Sequence, residues 1–317
     1  IITEMSVTGS GAWSRLFDEL TSAIRVDLPG EDEPVSLDIA LSGLHNPDRE
    51  VRKATAEAVT ESLQPGLRTR AYVFNTLLQD KATSDRLRSF PHWLATRNLS
   101  NEASDESVQA LIEAVKGRYD LARSWYRTKA KLLGIDRLAD YDRMAAIAVD
   151  DEKIEWEQGR EIVQEAFTSL APEAGDVVER FFDERWIDAP PGPNKRGGAF
   201  SASTVPSVHP YVMLNYTDKR RDVLTLAHEL GHGLHQTLAG KQGIFHQDTP
   251  LTVAETASVF AEELVFGRLL EAEKDPASRL GLLSEGVEGQ IATVFRQVAM
   301  NQFEDQVHTD RRTEGEL

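Results

Sequence analysis

The stretch Arg221-Asp222-Val223-Leu224-Thr225-Leu226-Ala227-His228-Glu229-Leu230-Gly231-His232-Gly233-Leu234-His235 decides how the chain reads. Val223, Leu224, Leu226, Ala227, Leu230 and Leu234 make a strongly apolar helical pattern over about 219–239. On such a helix His228 and His232 lie four residues apart, one turn apart on a common face. Two imidazoles at that separation can ligate one tetrahedral zinc ion. Glu229 lies beside them, where its carboxylate can reach a water at the metal without being a ligand itself. Two His and a Glu in so apolar a helix are costly to bury without partners, and a metal supplies one. The alternative is a surface helix carrying scattered polar residues.

A catalytic zinc needs a third protein ligand and an open position. The extended motif with a third His six residues after the second is absent, because Leu238 stands there. Downstream lies Pro250-Leu251-Thr252-Val253-Ala254-Glu255-Thr256-Ala257-Ser258. Its distance from His232 suits one helix ending, a loop over 240–249 and a second helix returning. Ala254, Ala257 and Ser258 are small and let the two helices approach, so Glu255 is the expected third ligand; a solvent-facing Glu is the alternative. Glu262, seven residues on, and Asp222, six residues before His228, are candidates to hydrogen-bond the ligating His, with a solvated surface carboxylate as the other reading of each. His209 and His246 flank this region and are candidates for substrate contact or for loop surface. His235 reads as a packing or hydrogen-bonding residue.

Outward from the motif, Asp188-Ala189-Pro190-Pro191-Gly192-Pro193-Asn194-Lys195-Arg196-Gly197-Gly198 is a clear loop signal. Two short strands follow, at about 199–204 and 211–216. Helix patterns resume at about 251–272 and 277–312. Before the loop the chain is mostly helical. A first helix runs to Ser22, followed by a small hairpin around Pro29-Gly30. Asn46-Pro47-Asp48 reads as cap, first-turn proline and acidic first turn of a helix to Leu63. One long helix is expected from Ser104 to Leu133, capped by Gly134, and shorter ones at about 136–147, 153–170 and 173–185.

Composition narrows the function classes. The 317 residues are enough for a sizeable core. Acidic residues outnumber basic ones 52 to 35, giving a net charge of −17. That argues against nucleic acid and anionic membrane surfaces as partners. Cysteine is absent, which excludes disulfides, Cys-ligated zinc and a thiol nucleophile. No apolar run reaches the ~18 residues of a membrane span. The chain begins Ile1-Ile2-Thr3-Glu4 without Met and ends in polar residues continuing a helical pattern, so a fragment of a longer protein is expected.

The sequence resembles the oligoendopeptidase F family, among the thimet-oligopeptidase-like zinc peptidases. The resemblance rests on several segments in order: Gly197-Gly198-Ala199-Phe200, Pro206-Ser207-Val208-His209-Pro210, Leu214-Asn215-Tyr216-Thr217, Asp222 to His232, and Pro250 to Ser258. Trp13 to Leu20 and Asn75-Thr76-Leu77-Leu78 are similar to it as well. It implies a mainly α, zincin-like multi-helix peptidase fold with one small β-sheet next to the zinc-binding helix. It implies one Zn2+ per chain held by His228, His232 and Glu255, with Glu229 as general base, and internal cleavage of short oligopeptides. Gly198, Ala199, Phe200 and His209 are the expected substrate-binding residues, on a strand edge that pairs with extended peptide backbone. The family continues well beyond residue 317 with a His and Tyr pair that stabilises the oxyanion. No Tyr follows Tyr216 here, so the chain alone is expected to cleave peptides weakly or not at all.

The expected division is a helical region with a small hairpin over 1–186 and a zinc-peptidase region over 187–317. The expected compartment is the cytoplasm. A dipeptidyl carboxypeptidase and a non-catalytic helical binding module are the competing functions. The sequence does not set oligomeric state or peptide preference.

Overall fold

A computed structural model describes residues 7–148, 153–192, 195 and 197–315. Of the loop expected over 188–198, Pro193, Asn194 and Arg196 lie outside the described residues, as do Ile1 to Glu4 at the start. The protein is mainly α with two small sheets. Packing divides it into two compact units. One comprises Ile1–Leu99, Ser104–Val149 and Leu283–Leu317, and the other Ser100–Ala103 and Asp150–Leu282.

The second unit carries the motif. Its helices are Trp156–Leu170, Pro172–Asp183, the motif helix Arg220–Ala239 and the following helix Leu251–Ala272. Val223, Leu226, Ala227 and Leu230 have no exposed surface, and they pack with Phe167, Val178, Phe181 and Val265 in one core. Residues 223, 226, 227 and 230 share a face of a 3.6-residue helix, so burying that stripe fixes the helix's rotation. The Val and Leu side chains among them each contribute about 1.5–3 kcal/mol relative to exposure. The opposite consequence is that His228 and His232 are turned out of the core, each remaining partly accessible.

The motif helix and the Leu251–Ala272 helix approach to backbone contact at Gly231. A Cβ there would lie 2.6 Å from the Ala257 carbonyl oxygen, 2.8 Å from Ser258 Cα and 2.9 Å from Ala261 Cβ. Two turns of small residues on one side and a glycine on the other therefore set the helix separation. At Gly233 a Cβ would meet the Phe181 ring at 2.6 Å, so the same helix is also pressed onto the core helix behind it.

The sheet of this unit has the order Ile187–Asp188, Tyr211–Met213, Phe200–Ala202. The first pair is parallel, with Ile187 opposite Val212, and the second antiparallel, with Ser201 opposite Val212. The two strands expected at 199–204 and 211–216 are present in shorter form, and Phe200–Ala202 is an edge. The Ile187–Asp188 strand has no period-2 signal to reveal it at a length of two residues.

In the first unit, the hairpin forms as expected, Arg25–Val26 pairing antiparallel with Val35–Ser36. Gly134, at φ 68°, closes its helix: Ile135 N–H donates to Ala130 O and Gly134 N–H to Lys131 O, the paired bonds of a Schellman end. Three expectations are corrected. The long helix over 104–133 is two helices, Asp105–Lys116 and Tyr119–Leu132, because Arg118 leaves helical geometry after Gly117, a poor helix former. The cap before Arg49–Leu63 is Asp48, which accepts from Glu50 N–H, while Asn46 accepts from Asp48 N–H one turn earlier. The helix expected over 136–147 reduces to a 3₁₀ turn, Asp140–Asp142. There the wholly buried Asp142 accepts from Ala139 N–H, Arg49 Nη2 and Arg52 Nη2, each at 2.9 Å. Those bonds hold the backbone in a shape the local pattern does not encode.

Two measurements test this packing. Gly231→Ala is expected to lose about 1–3 kcal/mol through overpacking. Gly267→Ala, on the partner helix with nothing within 4 Å of its added Cβ, is expected to gain about 0.5–1 kcal/mol. Equal chemical-denaturation midpoints for the two variants would refute the packing account. For Asp142, burial alone raises the carboxyl pKa, but bonds from Arg49, the Ala139 amide and Arg52 outweigh it and bring it from 3.8 to about 2. A depressed carboxylate pKa stabilises the fold above the unfolded value and ceases to do so as pH falls through the folded one. The stability lead of wild type over Asp142→Asn should therefore shrink by about 2 kcal/mol between pH ~5 and ~2. A lead that stays constant across that window would exclude this linkage.

Candidate metal centre

The motif helix delivers His228 and His232 to one side, and the close approach at Gly231 brings Glu255 opposite them. Glu255 Oε2 lies 3.4 Å from His228 Nε2 and 3.5 Å from His232 Nε2. One ligand atom from each of the three residues lies within 4.8 Å of the others. Donors bound to one tetrahedral zinc at about 2.0–2.2 Å stand about 3.3–3.6 Å apart, so both nitrogen–oxygen separations match the edges of such a site. The donor set, two imidazole nitrogens and one carboxylate oxygen, is that of three-ligand catalytic zinc sites with an open position. The residues present fit zinc. Among the described residues, this is the one group of three or more His, Asp or Glu side chains close enough to hold a metal ion.

Two of the donors are held by a further group. Glu262 Oε2 lies 3.1 Å from His228 Nδ1, which leaves Nε2 facing Glu255. Ser258 Oγ donates to Glu255 Oε2 at 2.7 Å from the next turn of the same helix. Such partners fix the tautomer and orientation of metal ligands. Ser258, chosen from the sequence only for its size, is one of them; its spacing of three residues from Glu255 was the available signal.

Glu229 is 6% exposed, and the Ser201 backbone amide acts to favour its carboxylate form. Burial pushes the Glu229 carboxyl above its ordinary value; the His228 imidazole pulls the other way without prevailing. Burial lowers the His232 imidazole, against the pull of the Glu255 carboxylate, which keeps it in the neutral form that ligates metals. At His228 burial also acts downward, but the Glu262 hydrogen bond and the surrounding carboxylates outweigh it.

The remaining sequence candidates fall elsewhere. Asp222 is not among the groups around the three donors. Its Oδ2 accepts from Thr217 N–H, Thr217 Oγ1 and Lys219 N–H, at 2.6, 2.9 and 3.2 Å, and so braces the first turn of the motif helix. An acidic residue in a first helical turn was the sequence signal for that role. His209 stacks on Trp186 with ring centroids 4.1 Å apart and planes 2° from parallel, and its Nδ1 lies 2.8 Å from Pro210 O. It shapes the turn between the two longer strands. Gly198, at φ 83°, takes a conformation that favours glycine, and its carbonyl accepts from Asn215 Nδ2. Ala199 packs on the core and Phe200 is exposed at the sheet edge. His235 Nε2 lies 3.5 Å from Thr249 Oγ1, and His246 is exposed in the connecting loop.

The fold has counterparts. Oligoendopeptidase F of Lactococcus lactis subsp. cremoris is 28% identical over 275 residues, 86% of this chain and 45% of that protein. A Chlamydophila abortus protein solved as a candidate peptidase superposes with a TM-score of 0.80 at 25% identity, over 100% of this chain and 54% of that one. Oligoendopeptidase-F of Enterococcus faecium superposes with a TM-score of 0.65 at 21% identity, over 96% and 49%. The chain spans about half the length of the curated relatives it matches. The model of peptidase family M3 matches residues 42–317, and with the motif helix, the returning Glu255 helix and the short sheet all accounted for within that span, the chain belongs to peptidase family M3.

Proposed function

We propose that this chain carries the zinc-binding part of a metalloendopeptidase that hydrolyses short oligopeptides. The observation that carries the reading is the convergence of His228 Nε2, His232 Nε2 and Glu255 Oε2, with Glu229 buried one residue from the first ligand. Bound there, zinc would lower the pKa of a water toward ~7 and polarise the scissile carbonyl.

The protein's own residues do the rest. His228, His232 and Glu255 would hold the ion, with Glu262 orienting His228 and Ser258 orienting Glu255. Glu229 takes the proton of the attacking water on its carboxylate and later returns it to the leaving amine. Its burial keeps bulk water from competing for that carboxylate. The Phe200–Ala202 edge is the element on which an extended peptide could align. Neighbours named oligoendopeptidase support a substrate of this class. No helix among the described residues is long and apolar enough to cross a membrane, and the net charge of −17 disfavours nucleic acid as a partner.

In the full-length protein that contains this chain, Glu229→Gln is expected to lower kcat on a quenched fluorescent peptide by about 10²–10⁴-fold, with zinc content unchanged. Cleavage at the wild-type rate would remove Glu229 from the mechanism. Products mapped from one decapeptide with a free or an amidated C-terminus separate internal cleavage, which tolerates amidation, from release of C-terminal dipeptides, which does not. Glu262→Gln should weaken zinc binding by about 10–100-fold, measured by competition with a chromogenic chelator. Asp222→Asn should leave that affinity unchanged while lowering the melting temperature. Equal zinc affinities in wild type and Glu262→Gln would refute the role given to Glu262.

A further inference from the structure

In a chain where acidic residues outnumber basic ones 52 to 35, one cavity is walled by arginine and by no carboxylate. It lies within the first unit, between the second half of the helix Leu67–Leu87 and the last turns of the helix Gln297–Glu314, and its volume is about 560 Å³. Arg86, Arg311 and Arg312 line it with Gln79, Ser89 and the His308 ring, and none of its lining residues is Asp or Glu. The first of the two helices ends beside it in a left-handed turn: Ser89 has φ 59°, and Phe90 N–H donates to Asp85 O.

The three guanidinium groups are held differently. Arg311 Nη1 donates to Asn75 Oδ1 at 2.8 Å and its Nη2 to Gln79 Oε1 at 3.0 Å. Both acceptors are neutral amides. They position the group without cancelling its charge, and it has further N–H donors to offer. The Arg86 side chain makes no hydrogen bond or ion pair with another described residue. Arg312 Nη2 is 4.0 Å from Asp85 Oδ2, but that buried carboxylate is already engaged by Lys81 Nζ at 2.6 Å and by Thr96 Oγ1 at 3.0 Å. The His308 ring is stacked on Trp93 with centroids 4.7 Å apart. Burial, with Lys81 and Arg312 adding to it, holds that imidazole below its ordinary value, so the fourth polar wall is a neutral ring.

We infer that this cavity binds a small organic molecule carrying at least two acid groups, phosphate esters or carboxylates. Guanidinium groups recognise both oxyanions through paired N–H donors. Three like charges around one space repel one another, and a ligand with several negative charges relieves that repulsion where a single small anion leaves a surplus. The volume is that of a small-ligand site rather than of an inorganic ion, and the Phe90 ring in its wall offers an apolar surface to a carbon frame. None of these residues belongs to the metal centre, so the inference stands apart from the peptidase reading.

The test uses the full-length protein that contains this chain. Fructose bisphosphate and tricarballylate are titrated separately by calorimetry at about 50 mM NaCl, where charge is weakly screened. Binding of either at one molecule per chain supports the site, and the one that binds assigns phosphate ester or carboxylate. Arg86→Met and Arg311→Met should each weaken that binding by about 10–100-fold. Arg123→Met, which removes an exposed charge from another helix of the same unit, should bind as wild type does. Arg86 has no partner to lose, so its variant keeps the fold even where Arg311→Met does not. No binding of either probe at about 5 mM, several molecules bound per chain, or equal affinities in wild type and Arg86→Met would overturn the inference. A lower melting temperature in Arg86→Met with unchanged affinity would reduce Arg86 to a counter-charge for its helix end, and would overturn it too. Zinc chelation by a probe is recognised because it persists in both arginine variants.

Discussion

A missing methyl group governs this centre. At Gly231 the motif helix has no Cβ, and the space is filled by the backbone of the Leu251–Ala272 helix around Ala257 and Ser258. Helix pairs with ordinary side chains at their contact stand 8–10 Å apart. Contact between backbones is what lets a carboxylate on one helix share a point in space with two imidazoles on the other. The motif is usually read as chemistry at three positions and indifference at two. Here the second of those two indifferent positions is set by packing: a larger residue would keep both His in place on their own helix and still withdraw Glu255 from them.

The face opposite the donors has the converse duty. Val223, Leu226, Ala227 and Leu230 are sealed in the core, which fixes how the helix is turned, while Gly231 fixes how near its neighbour lies. Rotation and distance together determine the position of the two Nε2 atoms relative to Glu255. Finer orientation then falls to weak local devices, the Glu262 carboxylate and the Ser258 hydroxyl. The site is therefore layered, with hydrophobic burial providing its frame and hydrogen bonds its aim.

Much of this was legible because it is periodic or local. The apolar stripe and the paired His share one helical period, and the distance from His232 to Glu255 matched a loop and a returning helix. Glu262 followed from the same face as Glu255. The misreadings have a common cause in contacts between residues far apart in the chain. Asp142 shapes its own turn only because Arg49 and Arg52 arrive from another helix. His209 reads as a candidate for substrate contact or loop surface, and its stacking on Trp186 carries no local signal. Ser201 Oγ donates to Gln236 Oε1 from 35 residues away, and neither carries a local signal of the other. Asp222 is the exception, since a first-turn carboxylate is a local feature and its bracing role could have been preferred from position alone.

The three donors are divided between two helices joined by the connecting segment over 240–250. An ion held by all three is therefore a cross-link as well as a reagent. It ties the ends of that segment together in the folded state and binds the unfolded chain far less well. The free energy of folding of this helix pair is then a function of free zinc concentration, rising with its logarithm above the dissociation constant. Without such an ion the returning helix would lack that tether, and the connecting segment would be the natural place for a protease to cut.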